Sequence, residues 1–94
     1  LANGWTSSSI GNFPWTVDTA GTPSNYTGPL IDHTLGTASG KYLFTEASSP
    51  AVQGDVANLM SPCISLSGNY TQVNLQFWYH MYGADITGLH VDIF

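Results

Sequence analysis

The C-terminal segment Leu75–Phe94, with the sequence LQFWYHMYGADITGLHVDIF, carries the strongest fold signal in the chain. Its two runs, rich in aromatic and β-branched residues, are separated by Gly83 and Gly88 and predict two antiparallel β-strands around a turn. The chain ends inside the second predicted strand, and nothing in the sequence follows to pair with its outer edge. Because folded proteins normally protect such edges, the segment predicts a piece of a larger β-domain or a strand that pairs elsewhere.

Two registers are open for this predicted hairpin. In the favoured register Tyr79 lies opposite Val91, and one face is continuously apolar: Phe77, Tyr79, Met81, Leu89, Val91 and Ile93. The other face then carries Trp78, His80, Tyr82, His90, Asp92 and Phe94. A shift of one residue would instead put Trp78 and Tyr82 with the apolar residues of the second strand, because paired residues share a face. The favoured register predicts that the face of Trp78 is a contact patch or lies beneath further structure.

The rest of the chain reads as short strands between turns, a pattern typical of a sandwich or barrel. Strand signals cover Trp15–Val17, Lys41–Ala47, Ala57–Met60, Gln72–Tyr82 and Gly88–Phe94. Helix signals are nearly absent, because the one candidate turn, in Ala51–Met60, contains Gly54 and β-branched residues. Residues 18–39 are rich in turn formers and lack periodicity, which predicts a long loop that is functional or packed by its own side chains.

Composition limits the function classes. With 94 residues, the chain forms at most one domain, and its net charge of −5 comes from six acidic residues against a single Lys. Nucleic acids and anionic membrane surfaces attract clustered Lys and Arg, so neither is an expected partner. No apolar run is long enough to span a membrane, and no signal peptide is visible. Cys63 is the only cysteine, so it is either a small, partly buried residue or a thiol whose partner lies elsewhere.

Five short phrases occur in a fixed order along nearly the whole chain: WT at 15–16, GPLIDHT at 28–34, GKYLFTEAS at 40–48, LMSP at 59–62 and FWYHMYG at 77–83. In this order they resemble the MAM domain, a family named after meprin, the A5 protein and receptor phosphatase mu. The resemblance implies an all-β, antiparallel jelly-roll β-sandwich, of which residues 1–94 would form the N-terminal three-fifths. It also implies an extracellular location. SPCISLSG at 61–68 resembles variants in secreted bacterial surface proteins.

Two acidic residues are candidate ligands of a structural cation. Asp32 follows a Gly-Pro turn, where a carboxylate with nearby backbone carbonyls could bind a hard cation. Glu46 lies on a predicted strand among apolar neighbours and needs a partner if it is buried. The resemblance implies calcium or sodium as the ion. The alternatives are that Asp32 caps a turn by accepting backbone N–H groups and that Glu46 is solvent-facing or hydrogen-bonded.

Other combinations of residues have weaker support. His80, His90 and Asp92 share a face in the favoured register and are ligand types that zinc accepts, although imidazoles in aromatic strands also simply pack and hydrogen-bond. No Gly-x-Ser-x-Gly motif is present and no spacing brings Ser, His and Asp together, so we expect no enzymatic activity. Asn25-Tyr26-Thr27 and Asn69-Tyr70-Thr71 match the N-glycosylation sequon, which matters only in a eukaryotic secretory pathway.

The leading functional hypothesis is a non-catalytic extracellular module for adhesion or protein–protein contact. The loop at 18–39 and the aromatic face with Trp78, His80 and Tyr82 would contact a protein partner or a second copy of the chain, because aromatic side chains dominate such interfaces. The alternatives are a glycan-binding module, an accessory domain of a secreted protease, and an inert spacer in a long secreted protein. The tryptophans that could stack on sugar rings are Trp5, Trp15 and Trp78.

Overall fold

The computed structural model describes residues 1–94 and contains four β-strands and no helix. In chain order these are β1 (Thr6–Ile10), β2 (Thr16–Asp18), β3 (Tyr42–Phe44) and β4 (Val56–Met60). A helix of the length and apolarity needed to cross a membrane is therefore absent. All four strands lie in the first two-thirds of the chain.

The strands form two separate antiparallel sheets of two strands each. β1 pairs with β4 from Thr6 opposite Met60 to Ile10 opposite Val56, and β2 pairs with β3 along all three of its residues. The pairing is nested, because the inner pair lies between the two strands of the outer pair in the sequence. The structure thus agrees with the predicted all-β, antiparallel class.

The carboxylate of Asp55 connects the two strands of the outer sheet at one end. Its Oδ2 accepts a hydrogen bond from the backbone N–H of Asn12 at 3.1 Å and a second from that of Val52 at 3.0 Å. Asn12 lies two residues after the end of β1, and Val52 begins the turn that leads into β4. One side chain therefore ties the exit of β1 to the turn before its partner strand, next to the last residue pair of the ladder.

The structure has no buried apolar residue; its only buried residues are Asp32 and Gly40. The accessible surface is 7,890 Å², whereas a compact domain of this mass exposes about 5,300 Å². The radius of gyration is 15.0 Å, against about 12 Å for a compact domain of this length. The large apolar side chains, many of them aromatic, are therefore accessible to a contacting molecule.

Several strand predictions were wrong. The segments Gln72–Tyr82 and Gly88–Phe94 contain no strand, because their backbones form no paired ladder. Alternating apolar residues determine which side chains share a face of an extended chain. A β-strand also needs a neighbouring strand to pair with its backbone N–H and C=O groups. The helical turn considered in Ala51–Met60 does not form, and β1 was missed because TSSSI has no apolar alternation. Cys63 is exposed rather than partly buried.

The other predictions hold with shorter bounds. Parts of Trp15–Val17, Lys41–Ala47 and Ala57–Met60 lie in β2, β3 and β4. Residues 19–41 connect β2 to β3 without a strand or a helix, as the turn-rich sequence predicts. Because β2 and β3 are paired, both ends of this long connection are fixed at the same end of a sheet.

Candidate functional site

The hydroxyl group of Tyr42, the first residue of β3, organises the loop that connects β2 to β3. This hydroxyl lies within hydrogen-bonding distance of two backbone carbonyls, those of Gly21 and Pro29, and can donate to either. Its distance to the Pro29 oxygen is 3.2 Å. The N–H of Gly21 donates to the carbonyl of Leu30 at 3.2 Å, which closes the segment between them. Partial burial raises the pKa of Tyr42 above its ordinary value of 10.0, and the nearby charge of Asp18 adds a smaller increase. The hydroxyl therefore keeps its donor proton at neutral pH.

Glu46 fixes the same loop at a second point. Its Oε1 accepts hydrogen bonds from the hydroxyls of Ser24 and Ser48, both at 2.7 Å, and the two hydroxyls lie 3.0 Å apart. The backbone N–H groups of both serines also donate to this carboxylate, at 3.3 and 3.2 Å. These bonds, led by the Ser24 and Ser48 side chains, hold the pKa of Glu46 below its ordinary value of 4.5. The hydrogen-bonded alternative for Glu46 is therefore the arrangement observed.

Asp32 is buried, with 9% of its surface exposed, in the part of the loop nearest β3. Its Oδ2 accepts the backbone N–H of Leu35 at 2.9 Å, which is the turn-capping role considered for it. Its Oδ1 is buried and has no hydrogen-bond partner. The carboxylate lies directly over Gly40, where an added Cβ would come within 1.9 Å of Oδ1. An unpaired buried carboxylate oxygen is costly, so it marks a place where a cation would be favoured.

Two aromatic residues of the C-terminal segment contact the loop. The ring of Trp78 stacks on that of His33, with centroids 3.7 Å apart and planes inclined by 21°. The Nε2 of His80 lies 2.8 Å from the carbonyl oxygen of Thr27. Tyr82 is 64% exposed and has no hydrogen bond or ring contact with the loop. The structure therefore joins Trp78 and His80 to residues 19–41 and leaves Tyr82 apart from them.

The C-terminal segment also forms an open apolar cleft of about 290 Å³. Its lining consists of Phe77, Tyr79, Met81, Leu89 and Val91. These are five of the six residues that the favoured register places on one face, although no strand ladder joins the two segments. The grouping of side chains was predicted correctly even where the hydrogen bonding was not.

The predicted metal ligands are not assembled into a cluster. The structure has no group of three or more His, Cys, Asp or Glu side chains arranged to hold a metal ion. The zinc hypothesis for His80, His90 and Asp92 is therefore wrong for this structure. Asp32 and Glu46 share no hydrogen-bond partner, and a cation bound by them stays a prediction.

Sequence reasoning missed two residues that shape this site, His33 as the stacking partner of Trp78 and Tyr42 as the loop anchor. Outside the site it also missed Asp55 as the tie between β1 and the turn before β4. A tyrosine at a strand position was a weak signal for a buried hydroxyl donor. The aspartate after Gly54 was a signal for a turn. No signal in a single sequence could have paired His33 with Trp78, which lie in different segments.

A model of the MAM domain (meprin/A5/mu) matches residues 2–94. The chain belongs to the MAM domain family. Together with the antiparallel all-β structure, this membership confirms the jelly-roll β-sandwich class that the sequence predicted. It also confirms the extracellular location. Comparison with solved structures gives no match.

Relatives of this MAM domain occur in vertebrate proteins. Neuropilin-1a of Danio rerio is 44% identical over 88 residues, covering 94% of this chain and 9% of that protein. MAM domain-containing glycosylphosphatidylinositol anchor protein 1 is 40% identical over 92 residues in both Gallus gallus and Homo sapiens, again covering 94% of this chain and 9% of each relative. The chain thus spans less than a tenth of the length of these relatives. None of the three supports the expected resemblance to bacterial variants.

Proposed function

We propose that this MAM domain is a non-catalytic adhesion or interaction module that contacts another protein through a loop–aromatic surface. This surface comprises residues 19–41 together with Trp78 and His80; the exposed Tyr82, which has no hydrogen bond or ring contact with the loop, is a further candidate for it. The observation that carries the proposal is the position of Trp78, whose ring is stacked on His33 while 74% of its surface stays exposed. A large aromatic ring that is held in place yet accessible is the kind of residue that dominates binding energy in protein interfaces.

The loop behind this ring is already ordered before any partner binds. Tyr42 and Glu46 fix it through hydrogen bonds to Gly21 and Ser24, and His80 contacts the carbonyl of Thr27. Ordering a loop on binding costs free energy, so a pre-ordered loop leaves more of the contact energy for affinity. Leu30, which is 78% exposed, adds apolar area to the same surface. The names of the relatives, a neuropilin and glycosylphosphatidylinositol anchor proteins, support a role at cell surfaces.

Binding to beads and to cells tests the proposal. The chain, coupled to beads at controlled density, is mixed with beads carrying the same chain and with animal cells. We expect bead aggregation or cell binding, and Trp78→Ala should weaken it at least about tenfold, the effect of losing one interface anchor. Trp5→Ala is the matched control, because Trp5 is 38% exposed but lies outside the loop–aromatic surface.

Pretreatment of the cells separates protein contact from glycan binding. Binding that is lost after protease treatment but kept after glycosidase treatment supports a protein partner. Binding lost after glycosidase treatment would replace this proposal with the glycan-binding alternative. Neither aggregation nor binding, or equal loss in Trp78→Ala and Trp5→Ala, would contradict the assignment of the surface.

We also propose a structural cation, calcium or sodium, at Asp32, with Glu46 as the second candidate ligand. The unpaired, buried Oδ1 of Asp32 supports this site, since a carboxylate oxygen is the ligand type that hard cations prefer. Glu46 fits less well, because both of its oxygens already accept hydrogen bonds from Ser24. The ion would supply stability rather than chemistry.

Thermal unfolding tests the cation. We expect chelation and desalting to lower the melting temperature, calcium or sodium to restore it, and Asp32→Asn to abolish the response. Glu46→Gln shows whether the second carboxylate takes part: a response equal to wild type removes it from the site. An unchanged melting temperature on chelation and on addition of either ion would exclude the cation.

A further inference from the structure

We infer that Asn25 is an N-glycosylation acceptor and that its glycan lies within the loop part of the loop–aromatic surface. The inference rests on the extracellular location and on a eukaryotic secretory pathway, which the vertebrate relatives support, and it does not require the proposed contact. The sequence Asn25-Tyr26-Thr27 has the acceptor amide, a middle residue other than proline and the hydroxyl residue that the sequon needs. Such a sequon in an extracellular chain marks a modification site when it lies in an accessible loop.

The structure presents Asn25 at the tip of an anchored turn. Ser24 is held by Glu46, and the Thr27 hydroxyl donates to the Ser24 carbonyl at 3.0 Å. Asn25 between them is exposed, and Tyr26 is fully exposed, at 102%. The hydrogen bonds of this turn therefore involve the residues on either side of Asn25, and a glycan on its amide displaces none of them.

The glycan would emerge beside the aromatic residues. Thr27 lies two residues after the acceptor, and its carbonyl oxygen is 2.8 Å from Nε2 of His80. His80 in turn lies two residues after Trp78 in the C-terminal segment. A glycan attached at Asn25 therefore leaves the chain within the loop part of the loop–aromatic surface, close to its contact with His80. A bulky, hydrated group at this position would keep a protein partner from covering this turn and leave the rest of the surface for contact.

The reaction is a glycosyl transfer from a lipid pyrophosphate-linked oligosaccharide. The amide nitrogen of Asn25 forms a bond to the anomeric carbon of the first sugar. The bond from that carbon to the pyrophosphate oxygen breaks, and its electron pair leaves with the lipid pyrophosphate. The nitrogen loses one proton to a base of the transferase, so the side chain remains a neutral amide.

Mass spectrometry of the secreted chain tests the inference. The full chain carrying Asn69→Gln, which removes the second sequon, is secreted from animal cells and its intact mass is measured. We expect a mass above that of the polypeptide by one N-glycan, and peptide-N-glycosidase should remove it and convert Asn25 to aspartate. Adding Asn25→Gln to this background should abolish the extra mass.

Two substitutions at Thr27 provide a matched pair. Thr27→Ser keeps a hydroxyl and should keep the glycan, whereas Thr27→Ala should lose it. Secreted chain in which the peptide containing Asn25 is wholly unmodified would overturn the inference. This outcome is measured on the Asn69→Gln chain, in which residues 25 and 27 are unchanged. A folding defect in a Thr27 variant would therefore not affect it.

Discussion

The carboxylate of Asp55 fills the space directly above the α-carbon of Gly11. A Cβ added to Gly11 would lie 1.9 Å from Oδ1 of Asp55, well inside any possible contact. Gly11 also has a φ of +80°, a left-handed conformation that residues with a Cβ rarely adopt. The exit of β1 thus depends on a residue with no side chain, because the aspartate that ties β1 to the turn before β4 needs that space.

Substitution of Gly11 by Ala should destabilise the chain through both effects. The left-handed backbone costs about 1 kcal/mol for a residue with a Cβ, and the collision with Asp55 adds about 1–3 kcal/mol. Gly21→Ala is the matched control, since Gly21 has a φ of +75° but nothing within 4 Å of an added Cβ. Chemical unfolding should give the larger loss for Gly11→Ala; equal losses would show that Asp55 moves aside freely.

The stability of the chain should fall in acid because of Glu46. Its pKa in the folded chain lies below the ordinary value of 4.5, so its contribution is present above that pH and is lost as the pH falls through the folded-state pKa. Ser24→Ala should lower the free energy of unfolding at pH 7 by about 1 kcal/mol and flatten this acid loss. Ser67→Ala removes a hydroxyl from the Ser65–Ser67 pair, which lies away from Glu46, and should not flatten it. An unaltered acid profile in Ser24→Ala would contradict the role of the bond.

Removal of the Tyr42 hydroxyl should loosen the loop between β2 and β3. We expect Tyr42→Phe to lower the free energy of unfolding by about 1 kcal/mol, because two backbone carbonyls lose their shared donor. Tyr79→Phe, at a tyrosine that is 71% exposed, is the control and should have little effect.

The same hydroxyl predicts a loss of stability in alkali. Because the pKa of Tyr42 is raised in the folded chain, its contribution is complete below pH 10.0 and falls as the pH rises from there through the folded-state pKa. Tyr42→Phe should remove this part of the pH dependence when unfolding is measured between neutral and alkaline pH. A variant that loses stability in alkali as steeply as wild type would refute the assignment.

The stacking of His33 on Trp78 should be measurable as a coupling energy. A double-mutant cycle with His33→Ala and Trp78→Ala should give about 0.5–1.5 kcal/mol in the free energy of unfolding, the range for stacked ring pairs. Phe77 and Tyr79 offer a comparison pair, because their rings are tilted by 58° with centroids 6.4 Å apart. A cycle on His33 and Trp78 that gives no more coupling than this pair would mean that the stack does not position Trp78.

The sequence predicted those parts of the fold that depend on local pattern. β3 and β4 contain enough apolar residues for a strand signal, and Asp32 caps a turn through Leu35, three residues later. β1 was hidden because a run of Ser and Thr forms a strand only when β4 supplies the partner edge. The candidate surface required contacts across long stretches of chain, such as Trp78 on His33, and alternation within one segment holds no information about them.

The exposed surface of this chain has a calorimetric consequence. The unfolded chain would expose about 14,600 Å², so folding to 7,890 Å² hides only about seven-tenths of the area that a compact domain of this mass would hide. The heat capacity change of unfolding scales with that area and should be correspondingly small. A partner that covers the apolar cleft and the aromatic residues would bury apolar area that folding leaves exposed. Its binding should therefore be recognised in titration calorimetry by a large negative heat capacity change.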